Sequence, residues 1–254
     1  MAGTHIQALY RQQTGPLHRL MPHVKLATTL LFVLAVVATP RHAFWAFAVH
    51  AVVLIALTAT ARIPPGFVLR RMLIEIPFLL FAVFLPFVGT GERVEVAGIS
   101  LSLAGLWAAW NILAKATLGV WASILLAATT QVPHLLEGLH RLRFPRVITA
   151  IMGFMVRYLD LVADQWSRMG TALRSRAYRP RSIRRAGALA AAIGALFVRS
   201  YERGERVHQA MLSRGFDGTM PSPTGAVATG PQWSAAAAVA GLAAAVAAAG
   251  WLIP

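Results

Sequence analysis

No cysteine occurs in the chain, which excludes disulfides and thiolate metal sites. Charge is also scarce: 13% of the 254 residues are charged, against about 25% in an average soluble domain. Acids are the rarer sign, nine against 24 bases, too few for the dense intramembrane carboxylate set of a proton relay. The only lysines are Lys25 and Lys115. Neither follows the glycines of a GxxxxGK(S/T) phosphate loop, so the chain is not an ATPase by that mechanism.

What the chain has in abundance is apolar sequence, 57% of its residues. A soluble domain could not bury that much, and lipid is the simplest solvent for the uninterrupted runs. The net charge of +15 would suggest nucleic acid in a soluble protein. Here the cations flank apolar runs, where anionic headgroups and the positive-inside bias account for them, so no nucleic-acid partner is expected. The first 25 residues, with Arg11, Arg19 and Lys25 among polar residues, lack a convincing cleavage site and read as a retained cytoplasmic or interfacial segment.

Five spans are predicted, at residues 26–39, 43–61, 72–88, 106–128 and 233–253. The first is short and is extended by Val24 and the amphipathic stem of Lys25. Pro40, Arg41 and His42 make an outer turn, and His50 is read as an interior histidine of the second span. Arg62, Pro64, Pro65, Gly66, Arg70 and Arg71 form a basic, helix-breaking cytoplasmic connection. Pro77 and Pro86 are expected to kink the third span. Residues 89–100, holding Glu92 and Glu95 against Arg93, form an outer loop. Asn111 and Lys115 lie in the outer half of the fourth span; a lysine at the bilayer centre costs roughly 2.5 to 3.5 kcal/mol, so Lys115 should snorkel or face another helix.

From 131 to 218 the character changes, with fifteen arginines against six acids. The apolar runs 147–156 and 186–198 are short. If both crossed the bilayer, Arg174, Arg176, Arg179, Arg181, Arg184 and Arg185 would lie outside, against the positive-inside bias. They are therefore read as cytoplasmic or interfacial helices. The chain is accordingly an all-α integral membrane protein: residues 1–25 at the interface, a four-helix membrane region at 26–130, arginine-rich cytoplasmic helices at 131–220, and a linker with the final span at 221–254. Five spans from a cytoplasmic N-terminus place the C-terminus outside.

Two short strings stand out, Leu173-Arg174-Ser175-Arg176-Ala177-Tyr178 and Met211-Leu212-Ser213-Arg214-Gly215-Phe216. Each closes a helical stretch with a small residue, an arginine, a small residue and an aromatic. Pro180 is expected to stop the first helix, and Gly215 to take the left-handed cap of the second. Ahead of the second, Glu202 and Arg206 stand four apart, while Val198, Tyr201, Met211 and Leu212 supply apolar contact. Small neighbours let a partner approach, and the guanidinium offers a rigid fork of donors, which is how a helix docks in a groove. Composition alone would make Arg176 and Arg214 two more orienting charges.

With these strings, the sequence resembles the transmembrane T component of energy-coupling factor (ECF) transporters, in particular the cobalt-type CbiQ branch. The resemblance also rests on Gly15-Pro16-Leu17-His18-Arg19-Leu20 with Pro22 and Lys25-Leu26, on Arg157-Tyr158-Leu159 with Arg168-Met169, and on Phe197-Val198-Arg199-Ser200-Tyr201-Glu202-Arg203 leading through Glu205-Arg206-Val207 to Ala210 and the second arginine string, then Asp217-Gly218. It covers nearly the whole chain in order. It implies a non-catalytic subunit whose coupling residues are Ser175, Arg176, Ala177, Ser213, Arg214 and Gly215, docked in two ABC-type ATPase subunits and joined to a substrate-binding membrane S component in a bacterial cell membrane. Cobalt is the implied cargo, with nickel or a vitamin as alternatives. There are two departures: the first motif reads Ser-Arg-Ala where alanine commonly precedes the arginine and serine or glycine follows it, and Met21 replaces a usual acidic residue.

No cofactor is called for. His134 and His140 are six apart and do not share one helical face, and His18 and His23 have no nearby carboxylate, so the histidines do not read as a metal site. A membrane enzyme acting on lipid-linked phosphate would need clustered acids, and Asp160, Asp164 and Asp217 make no such set. A stand-alone carrier would show repeated halves, and none are visible.

Overall fold

The computed structural model describes residues 15–90, 92–96, 99–178, 187–218 and 228–252. Pro180, the arginines at 179, 181, 184 and 185, and Arg11 lie outside the described residues. The chain divides into two compact units, residues 9–138 with 226–254, and residues 1–8 with 139–225.

The first unit runs α1 (Pro16–Arg19), α2 (Pro22–Ala38), α3 (Phe44–Thr60), α4 (Pro65–Met72), a 3-10 turn (Leu73–Glu75), α5 (Ile76–Val88), strands β1 (Arg93–Val96) and β2 (Ile99–Ser102), α6 (Leu103–Thr129) and most of α7 (Val132–Arg141); α10 (Gly230–Leu252) closes it. Proline sits in the first turn of α1, α2, α4 and α5, where its fixed φ suits a helix and its missing N–H removes no bond. Pro77 therefore opens a new helix after the 3-10 turn, where sequence predicts a kink inside a continuous span. Pro86 lies in the interior of α5.

Three stretches are long and apolar enough to cross a bilayer: Pro65–Val88, Leu103–Thr129 and Gly230–Leu252. The apolar helices α2 and α3 have 17 residues each, about 25 Å at 1.5 Å per residue, the short limit for a span. This is an all-α multi-pass membrane protein. The loop after α5 contains an antiparallel strand pair that the sequence reading leaves as loop, with Arg93 opposite Ser102 and Val96 opposite Ile99. Ser102 ends β2 and starts α6: its Oγ accepts the Gly105 N–H at 3.3 Å and donates to the Thr90 carbonyl at 3.2 Å.

Helix α6 is the hub, packed against α2, α3, α4 and α5, while α10 lies along α2 and α3. The main apolar cluster joins Phe32 and Val36 of α2, Phe47 and Leu54 of α3, Leu118 and Ala122 of α6, and Ala243 and Ala247 of α10. Alanine at the α10 positions lets the backbones approach closely, the usual means of helix association where lipid gives no hydrophobic drive. Phe44 stacks near Trp107 and Trp110, with Arg41 over Trp107, a grouping suited to the headgroup boundary.

The two lysines serve the ends of each other's helices. Lys25 of α2 donates to the Thr129 carbonyl at 3.0 Å and to Thr130 Oγ1 at 3.3 Å, at the C-terminus of α6. Lys115 of α6 donates to the Val37 carbonyl at 2.7 Å, in the last turn of α2. Trp251 takes the Ala38 carbonyl at 2.9 Å, and the Thr39 N–H reaches those of Ala35 and Val36. All four terminal carbonyls of α2 are thus satisfied, and each helix dipole meets a cation. Replacing Lys115 or Lys25 by methionine keeps the apolar stem and removes the donor. Each variant is expected to lose about 1 to 3 kcal/mol from the unpaired carbonyl, seen as a lower midpoint of thermal unfolding in detergent; an unchanged midpoint would show that water substitutes.

His50 is fully buried, its Nε2 3.3 Å from Thr39 Oγ1 and its ring against Phe32. The sequence expectation of an interior histidine holds on that side, while Nδ1 has no partner among the described residues. The same is true of Asn111 Oδ1.

The second unit contains α8 (Arg146–Ser175) and α9 (Gly187–Leu212), which touch each other. Neither has a fully buried residue. The apolar run 147–156 lies within α8, and residues 187–198 of the second run open α9.

Candidate functional site

The site is assembled from two helix ends built to one plan. Helix α8 ends at Ser175, and the Tyr178 N–H returns to the Leu173 carbonyl at 3.1 Å while that of Ala177 reaches Arg174 at 3.0 Å. Helix α9 ends at Leu212, and the Phe216 N–H returns to Met211 at 3.0 Å while that of Gly215 reaches Leu212 at 3.0 Å. These paired bonds define a Schellman cap at both ends. Aligned on the caps, Arg176 matches Arg214, Ser175 matches Ser213, Ala177 matches Gly215 and Tyr178 matches Phe216.

The cap requires a left-handed residue after the arginine. Gly215 supplies it at φ 79°, as its sequence position predicts. Ala177 supplies it at φ 55°, which the sequence does not reveal, because alanine carries no sign of a left-handed conformation. The first helix therefore stops by its own cap before Pro180 is reached. Leu173 and Tyr178, like Met211 and Phe216, are the half-buried members of otherwise exposed ends, the positions at which such caps make an apolar contact.

Around this frame the polar groups differ in how they are used. Ser175 Oγ donates to the Thr171 carbonyl at 3.1 Å and Ser213 Oγ to Ala210 at 3.0 Å. Arg174 is tied to Thr171 Oγ1 at 3.1 Å. Arg176 and Arg214 are exposed, and neither guanidinium has a hydrogen bond or ion pair among the described residues. A cation beside the last carbonyls of a helix interacts favourably with its dipole, yet most of each fork is left for another molecule. Each motif stands at the end of its own helix.

The caps make opposite predictions for one pair of substitutions. Ala177→Gly relieves an alanine held left-handed and should stabilise the end of α8 by about 1 kcal/mol, whereas Gly215→Ala should loosen α9 by a similar amount. Amide exchange at Tyr178 should slow in the first variant and that at Phe216 should quicken in the second.

Glu202 and Arg206 form the expected pair at 3.8 Å; being exposed, it contributes little. Val198, Tyr201 and Leu212 are exposed and Met211 is half-buried. Sequence inspection also passes over a stripe on α8: Ile148, Ile151, Met155, Leu159 and Trp166 recur at helical spacing and are all exposed, with Arg146, Arg157 and Arg168 on the opposite face. A count of apolar residues by helical phase, extended past residue 156, finds it.

Comparison with known proteins places this arrangement in context. The family model of CbiQ, described as cobalt transport protein, matches residues 13–224. The uncharacterized protein MJ1571 of Methanocaldococcus jannaschii is 28% identical over 221 residues, which make up 82% of this chain and 74% of that one. The uncharacterized protein MJ1089 of the same organism is 32% identical over 103 residues, 39% of this chain and 37% of its own.

Proposed function

The chain belongs to the CbiQ family of cobalt transport proteins, and from that premise we propose that it is the transmembrane coupling subunit of an ATP-driven ECF-type importer. In this reading, two ABC-type ATPase subunits receive the arginine caps, a substrate-binding S component holds the cargo, and this chain carries motion between them without catalysing a reaction. The observation that carries the proposal is the pair of matching Schellman caps, each presenting an arginine with no hydrogen bond or ion pair among the described residues. Ser175 and Ser213 are turned back onto their own helices, and Ala177 and Gly215 keep the surface beside each arginine low. A guanidinium on such an end can enter a groove and be held by carboxylates or carbonyls.

Closure of the ATPase pair on ATP would then shift α8 and α9 as packed rigid elements. The exposed stripe from Ile148 to Trp166 gives the assembly an apolar surface to cover. The membrane is that of a bacterial cell, with the N-terminus and the arginine caps on the cytoplasmic side, as the positive-inside bias requires. Cobalt is the favoured cargo from the family; nickel or a vitamin would be carried by the same machinery with a different S component.

Purification of the tagged chain from membranes of cells expressing the whole gene set tests the reading. ATPase subunits should be retained, and the cells should take up Co2+ in an ATP-dependent manner. Recovery of the chain without any ATPase, under conditions that keep comparable complexes together, would sink it; uptake of nickel or a vitamin instead would change only the cargo.

A further inference from the structure

The bonds that close α8 and α9 recur at the end of α7. The Phe144 N–H returns to the Leu139 carbonyl at 3.2 Å, the Arg143 N–H reaches that of His140 at 3.1 Å, and Arg143 stands left-handed at φ 61°. This is a further Schellman cap, with arginine itself in the position that glycine fills without strain. The end of α3 makes the same bonds with Arg62 at φ 56°, but there the apolar residue that follows, Ile63, is 4% exposed. At α7 its counterpart Phe144 is 44% exposed, and its neighbours in sequence, Leu142 and Val147, are 41% and 71% exposed.

The string Leu142-Arg143-Phe144-Pro145-Arg146-Val147 thus interleaves exposed apolar side chains with cations. Neither the Arg143 nor the Arg146 guanidinium has a hydrogen bond or ion pair among the described residues, and no acid occurs between Glu137 and Asp160. Unopposed cations beside apolar side chains fit a surface that is anionic outside and apolar just beneath, which is the headgroup boundary of a bilayer. The two guanidiniums are also the only polar side chains in the string, so it has little with which to specify a protein contact. Its tether is short. Gly138 of α7 lies against the first turn of α2, where an added Cβ would stand 3.0 Å from the His23 nitrogen and 3.1 Å from the Pro22 carbonyl carbon. Five residues lead from Gly138 to Arg143, at most about 18 Å of chain, so the string stays within that reach of the start of the first apolar helix.

We propose that the end of α7 is a lipid-docking site: Arg143 and Arg146 bind the phosphates of anionic lipids, while Leu142, Phe144 and Val147 insert beside them at the headgroup boundary. Orienting the chain during insertion needs only charge in a loop; a docking site also holds anionic lipid in the folded protein. The site belongs to this chain alone, whichever complex the chain joins.

The chain has no cysteine, so a single spin label can be placed by Val147→Cys, with Gln209→Cys on exposed α9 sequence as the aqueous reference. The full chain is reconstituted in nanodiscs of phosphatidylcholine, with or without phosphatidylglycerol. In the anionic discs the label at 147 should be open to oxygen and shielded from a water-soluble nickel relaxant, while the reference stays open to the relaxant. Arg143→Gln with Arg146→Gln removes two charges worth about fivefold each near an anionic surface, so the ratio of shielded to open label should fall about thirtyfold. Lysine at both positions keeps the charge and should keep most of the shielding. The proposal is overturned by an open label in the anionic discs, by shielding that is the same in both lipids or unchanged in the glutamine variant, and by a lysine variant as open as the glutamine one. Shielding that appears only when other subunits are added would make the surface a protein interface and overturn it equally.

Discussion

Reversing both cap arginines, Arg176→Glu with Arg214→Glu, is expected to abolish uptake while the protein still inserts in the membrane. The reasoning starts from what each arginine does not do. Neither guanidinium serves the fold through a hydrogen bond or ion pair among the described residues, so its loss leaves no buried partner behind. In a groove that receives a cation, a glutamate meets like charge and desolvation together, at a cost of several kcal/mol per site, about 3 or more, which is a hundredfold or more in affinity. Two sites reversed at once should take transport to background and release the ATPase subunits during purification. Each single reversal should leave a complex attached by one end.

Lysine at the same positions separates this role from simple orientation of the chain. A lysine preserves the positive-inside signal completely but replaces the planar fork with a point charge that cannot bond two oxygens in parallel. If Arg176 and Arg214 only mark the cytoplasmic side, Arg176→Lys with Arg214→Lys will transport like the parent. If they dock in grooves, uptake should fall by about tenfold with topology unchanged. Glutamate variants that insert normally and still take up Co2+ would remove both residues from the coupling site.

The sequence revealed the parts of this molecule that depend on composition over many residues. Five apolar runs become five apolar helices, because lipid imposes one solution on any backbone that crosses it. The helix-ending glycine at 215 was legible as well, since left-handed backbone is cheap only for glycine. Ala177 was not: it is held left-handed by bonds from Ala177 and Tyr178 to the preceding turn, and nothing in an alanine signals that. The lysine exchange between α2 and α6 joins residues more than seventy positions apart, so it exists only once the helices are antiparallel neighbours. The strand pair at residues 93–96 and 99–102 escaped because its strands are four residues each, too short for alternation to stand out from loop sequence.

Among the described glycines, Gly105→Ala is expected to be the most damaging substitution by alanine. The added carbon would lie 2.4 Å from the Leu85 carbonyl oxygen, 2.7 Å from Pro86 Cα and 2.9 Å from the Leu85 carbonyl carbon. All three are backbone atoms, so no side-chain rotation relieves the contact; α5 must move away from α6 or the start of α6 must tilt. Either movement also disturbs the N-cap that Ser102 makes to Gly105. Overpacking of this kind costs about 1 to 3 kcal/mol, and with backbone on the far side the upper end applies. The variant should melt at a clearly lower temperature in detergent and accumulate poorly. Gly119→Ala on the same helix is the control, because a Cβ there meets nothing within 4 Å and alanine is the better helix former by about 1 kcal/mol. That change should be neutral or stabilising. Equal behaviour of the two variants would mean that α5 and α6 do not meet at Gly105.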